Sequence, residues 1–115
     1  MMRIRLYGIT EALTELCPGA RWALTADDYS TIEWLSDDID QPTLAALEAK
    51  RDELNAAEPL RALREERDKR IAETDWWASS DRTMTAEQTA YRQTLRDLPA
   101  NTTDPANPVW PVKPE

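Results

Sequence analysis

The chain has 115 residues, with 14 Lys and Arg against 22 Asp and Glu, a net charge of −8, and neither histidine nor phenylalanine. That size allows one domain, or one small domain with appendages, and the acidic balance argues against nucleic acid or an anionic membrane as partner. Without histidine the commonest general base, the usual nucleophile pairs and the commonest zinc ligand are all missing, so neither enzymatic activity nor a cofactor is expected.

The single Cys17 cannot close an internal disulfide and reads as a small buried hydrophobe. No stretch approaches the roughly 20 consecutive apolar residues of a spanning helix, and the first residues carry no signal-peptide pattern, which points to the cytoplasm. Charged residues make up 31% of the chain. A thin core is expected, with part of its apolar surface completed by another chain.

Residues 2–8 alternate charged and apolar side chains up to Gly8, the pattern of a half-buried strand. Thr10 can cap a short helix to about Leu16 with Ile9, Leu13 and Leu16 on one face, and Cys17-Pro18-Gly19 ends it. Two arms follow, Arg21–Thr25 and Thr31–Leu35, joined by a turn over Ala26–Ser30. Trp22 and Leu24 share a face with Ile32 and Trp34, predicting an antiparallel hairpin laid over the short helix. Residues 1–38 thus read as a βαββ unit. The aspartates at 27, 28, 37, 38 and 40 lack the glycine and closing glutamate of a calcium loop and read as turn formers.

After a polar linker, Thr43 is the expected N-cap of a helical, coiled-coil-like segment over residues 43–77. Leu44, Leu47 and Leu54 begin an apolar stripe, and Leu60, Leu63 and Ile71 continue it in a register displaced by one residue. Pro59 lies between the two registers, so the helix is expected to kink or break there. The charged run Arg64–Arg70 forms pairs at helical spacing and reads as a solvated face.

Residues 78–115 hold a loop, a helix and an extended tail. Thr85 and Gln88 fit a capping box, and the helix behind it places Tyr91, Leu95 and Leu98 on one side and Arg92 and Arg96 on another, stopping before Pro99. The tail holds four prolines without helical or strand periodicity and should be extended. Trp76, Trp77, Tyr91 and Trp110 bracket this helix. Either the tail folds back so that Trp110-Pro111 stacks on Tyr91 and Trp76, or the rings form a binding platform.

Taken in order, Arg70–Trp76, Ser80-Asp81, Tyr91–Pro99 and Val109–Pro114 resemble the C-terminal signature of tailed-bacteriophage tail assembly chaperones, which include tail-fibre assembly proteins. The match covers about residues 64–114. Trp77 stands where that pattern has a polar residue, which makes it the best candidate here for an exposed contact. The resemblance implies a non-enzymatic chaperone that helps a tail-fibre protein fold and trimerise, in the host cytoplasm or bound in the virion tail. A structural tail or baseplate adaptor is the alternative.

On that reading, Asp75, Trp76, Tyr91, Arg92, Leu95, Arg96, Asp97, Trp110 and Pro111 form a self-contained packing unit, with Asp75 or Asp97 paired to Arg92 or Arg96. The leucine stripe of the long helix (Leu44, Leu47, Leu54, Leu60, Leu63, Ile71) would mediate homo-oligomerisation. The N-terminal sheet, through Trp22 and Trp34, would give the fibre-specific contact. The expected fold is α+β: a βαββ unit, a long helix kinked or broken at Pro59, and a C-terminal helix with an extended tail.

Overall fold

Each of the three α-helices begins where a nearby side chain accepts a hydrogen bond from an amide of its first turn. The computed structural model describes residues 2–115 and is α+β, with α1 (Ile9–Leu16), β1 (Trp22–Thr25), β2 (Asp28–Trp34), α2 (Leu44–Glu73), a 3-10 turn (Asp75–Ala78) and α3 (Ala86–Asn101). The chain divides into two units, Arg5–Glu58 and Pro59–Glu115 with the first residues up to Ile4. Among the described residues no helix is long and apolar enough to cross a membrane.

In the first unit the hairpin forms as its pattern predicts. β1 and β2 pair antiparallel, with Trp22 opposite Trp34 and Ala23 opposite Glu33. A bulge follows, between Ala23 and Thr25. There the Thr31 hydroxyl accepts from the Thr25 N–H (2.9 Å) and donates to the Asp28 carbonyl (2.7 Å). Ala26 and Asp27 both take positive φ (53° and 58°), the two-residue turn whose twist suits a hairpin. The inner face of Trp22, Leu24, Tyr29, Ile32 and Trp34 packs on Ile9, Ala12, Leu13 and Leu47. Cys17 is buried beside it. Leu16, expected on the inward face, is 42% exposed, and Ala12 takes the buried position instead.

The cap of α1 comes from the hairpin turn. Gly8, not Thr10, is the N-cap residue, and its N–H donates to Glu11 Oε2 (2.9 Å). The Asp27 carboxylate accepts from the Ile9 N–H (3.0 Å), the Thr10 N–H (2.8 Å) and the Thr10 hydroxyl (2.9 Å). Burial pushes the Asp27 carboxyl up, but these donors and the charge of Arg51 outweigh it and hold its pKa below the usual aspartate value. Its contribution to stability is therefore complete above the ordinary aspartate pKa and is lost as pH falls through the lowered one. A Cβ on Gly8 would collide with Asp27 Oδ2, so Gly8 leaves room for this carboxylate. Asp27→Ala should destabilise this unit by about 1 kcal/mol, the usual value of a helix cap. It should also flatten the acid limb of a urea-midpoint-versus-pH profile, and an acid limb identical to the parent's would contradict the cap.

The strand expected over residues 2–8 does not form, so the unit is αββ and the sheet has two strands. Residues 5–7 bond to helix side chains instead. The Tyr7 N–H donates to Asn55 Oδ1 (2.8 Å) and the Tyr7 carbonyl accepts from Asn55 Nδ2 (3.0 Å). The Arg5 N–H and the Tyr7 hydroxyl both donate to the Glu58 carboxylate, at 3.2 and 3.0 Å. The alternation is real, but Leu6 is left 88% exposed.

Helix α2 starts as expected, with Thr43 Oγ1 accepting from the Ala46 N–H (3.1 Å). It is not broken at Pro59, which sits inside one continuous helix. A proline removes one ladder hydrogen bond, a loss that packing along the rest of the helix can outweigh. Pro99 is likewise inside α3, which runs on to Asn101. Near that end the Thr102 hydroxyl donates to the Leu98 carbonyl (2.6 Å), satisfying an acceptor left over by the helix terminus.

Candidate functional site

The second unit is built around aromatic rings and the cations lying on them. α2 ends at Glu73, and the 3-10 turn immediately after it rotates Trp77 inward and Trp76 outward. Trp77 is 3% exposed and packs with Tyr91 and Leu95, with Ile71, Met84 and Trp110 around them. Its ring centroid lies 6.0 Å from Tyr91, tilted by 56°. The expectation of an exposed Trp77 is thus corrected. Trp76, 54% exposed, is the outward ring, edge-on to Trp77 at 6.1 Å.

α3 reaches this core through its predicted capping box, in which the Gln88 N–H donates to Thr85 Oγ1 (3.1 Å) and Gln88 Oε1 accepts from the Thr85 N–H (3.0 Å). Tyr91, Leu95 and Leu98 are buried. Arg92 joins them at 6% exposure instead of sharing an outer face with Arg96. Its guanidinium donates to the Ile71 carbonyl (3.1 Å), Thr74 Oγ1 (2.8 Å) and Asp75 Oδ1 (3.0 Å), tying α3 to the end of α2. Arg92 Nε is buried with no partner among the described residues. Arg96 is exposed, and Asp97 accepts from Gln93 Nε2 (3.1 Å).

The tail returns to this core. Trp110 packs at its edge under the Arg70 guanidinium, 4.1 Å from the ring centroid. Arg70 Nε also meets Glu66 Oε1 (3.2 Å). Burial raises the Glu66 carboxyl, but Arg70's hydrogen bond and charge, with Lys69, bring its pKa below the usual glutamate value. Arg82 lies over Trp76 (4.4 Å) and Lys113 over Trp77 (5.9 Å). Each of the unit's three tryptophans therefore carries a cation, an attraction worth about 0.5–1 kcal/mol at exposed sites.

Pro105, Pro108, Pro111 and Pro114 recur at every third residue, the repeat of a three-residue-per-turn extended helix. Burial follows it: the prolines are half-buried, whereas Val109 and Val112 are 84% and 91% exposed. That spacing is a sequence signal for two outward residues absent from the expected set.

Of the leucine stripe, Leu47 and Leu63 are fully buried within the chain, Leu54, Leu60 and Ile71 are half-buried, and Leu44 is 40% exposed. The stripe is mostly intrachain core. Trp22 and Trp34 are half-buried on the hairpin's inner face, and Trp34 Nε1 donates to the Ile39 carbonyl (2.8 Å).

Trp76, Val109 and Val112 remain the large apolar side chains exposed between the end of α2 and the tail among the described residues. Residues 60–115 match the family model of the phage tail assembly chaperone protein, which identifies this region of the chain with that family. The match supports a role in phage tail assembly. No curated protein and no solved structure matches the chain.

Proposed function

We propose that this protein is a non-enzymatic chaperone that binds a phage tail-fibre protein in the host cytoplasm and shields it until the fibre trimerises. The family match over the aromatic unit carries this reading. Fibres rich in long-range strand pairing fold slowly and expose edges and apolar surface meanwhile, which gives such a protein its task. Trp76, with Val109 and Val112, supplies the outward apolar surface of that unit, while Arg92 and the buried rings hold it in shape. Production of the fibre with and without this chain tests the reading. Soluble trimer should rise severalfold in its presence, and equal yields would refute the assignment.

A further inference from the structure

Residues 5–8 are held along one side only. Tyr7 turns both its N–H and its carbonyl to the Asn55 side chain (2.8 and 3.0 Å), and the Arg5 N–H turns the same way, to Glu58 (3.2 Å). In an extended chain, successive residues present their backbone groups to opposite sides. The N–H and carbonyl of Leu6 therefore face away from α2. Neither has a hydrogen-bond partner among the described residues, and the Leu6 side chain is 88% exposed. Leu6 thus offers a donor, an acceptor and an aliphatic side chain together, and the bonds of Arg5 and Tyr7 hold all three in place. Another extended backbone is the partner that matches a donor and an acceptor at this spacing.

Charge selects among extended backbones. Residues 5–58 hold four basic and twelve acidic side chains, so the unit that carries Leu6 has a net charge of −8. An open groove of about 630 Å³ is lined in part by Leu6 and Tyr7, and the charged residues lining it are Glu11, Asp27 and Arg51, two carboxylates against one guanidinium. A second copy would bring a like net charge to the same edge, and an acidic segment would meet the same repulsion. A neutral or basic strand meets neither.

We propose that the Leu6 edge binds a neutral or basic extended segment of a partner protein by strand addition, exchanging hydrogen bonds with the N–H and carbonyl of Leu6 and laying an aliphatic side chain against its own. That the segment belongs to a tail fibre with unpaired strand edges rests on the function proposed above; the free edge itself does not.

Titration of the isotope-labelled full chain with a synthetic peptide of alternating valine and threonine, closed by a lysine at each end, tests this. The Leu6 amide should shift and its exchange with solvent should slow at least about tenfold, while exchange of the Tyr7 amide, already bonded to Asn55, should change little. The ester analogue of that peptide keeps its side chains but cannot donate from its backbone, and should bind about tenfold more weakly. Leu6→Pro removes the free N–H without breaking an internal hydrogen bond. It should leave the urea midpoint unchanged and abolish the shifts that the peptide induces at neighbouring amides. Equal affinity for the ester analogue, shifts that avoid Leu6, or no binding would each overturn strand addition at this edge. Protection of Leu6 that grows with protein concentration in the absence of peptide would overturn the choice of occupant in favour of a second copy. Fibre yield keeps the two roles separable: equal gains in soluble trimer from the parent chain and from Leu6→Pro would leave the chaperone role standing and overturn this edge as its contact.

Discussion

Replacing Arg92 by alanine should lower the unfolding free energy by about 3 kcal/mol, a large share of the 5–15 kcal/mol available to a domain of this size. The guanidinium makes three hydrogen bonds, and they are not equal. Asp75 is 64% exposed at its side chain, so that ion pair is screened and contributes little. The Ile71 carbonyl also accepts from Thr74, through both N–H and hydroxyl, and is not orphaned when Arg92 is lost. Thr74 Oγ1, in a residue with no exposed surface, loses its charged donor outright. A bond to a charged group is worth about 1.5–3 kcal/mol, and the space vacated by the long stem adds to that. Arg92→Met should cost less, about 2 kcal/mol, because it fills the space and removes the unbonded Nε. Arg92→Lys should not rescue, since one ammonium cannot reach three acceptors in a fork. Urea unfolding measures all three, and an alanine variant within about 0.5 kcal/mol of the parent would refute this role.

The adjacent tryptophans should respond in opposite ways. Trp77→Ala empties a site 3% exposed among Tyr91, Leu95 and Ile71 and should cost about 3–5 kcal/mol. Trp76→Ala loses a half-exposed ring, its edge contact and the Arg82 cation, together about 1 kcal/mol or less. On the proposed function the order reverses for partner capture. Trp76→Ala should retain the fold yet recover several times less tail-fibre protein in co-purification. Equal destabilisation by the two variants would contradict the inward-outward assignment, and full capture by Trp76→Ala would remove this ring from the contact surface.

What could be read in the sequence was local. The Thr85–Gln88 capping box, the Thr43 cap and the Trp22/Trp34 hairpin each depend on residues close in the chain, and each appears where the pattern put it. The fold-back of Trp110 and the pairing of Asp75 with Arg92 also match the geometry expected of the aromatic stretch. The exchange of roles between Trp76 and Trp77 was hidden by the family pattern, not by the spacing. Steps of three past Ile71 reach Thr74 and Trp77, both buried, whereas the outward reading of Trp77 rested on its standing where that pattern has a polar residue. Pro59 did not break α2 and Pro99 did not end α3, for a common reason. Proline is strongly unfavourable in an isolated helix, but a helix held along its length by tertiary packing tolerates the loss of one hydrogen bond. The missing first strand failed at longer range, because its partners are side chains of Asn55 and Glu58 about fifty residues away.

That last exchange of partners bears on edge-to-edge pairing between copies of the chain. An alternating segment with free backbone groups is a template for pairing with other copies, the first step of edge-to-edge aggregation. Here Asn55 takes both the N–H and the carbonyl of Tyr7, and Glu58 takes the Arg5 N–H, so one edge is occupied by side chains that cannot pass a ladder on. A two-point clasp does for this segment what a neighbouring strand would do, without creating a new edge beyond it.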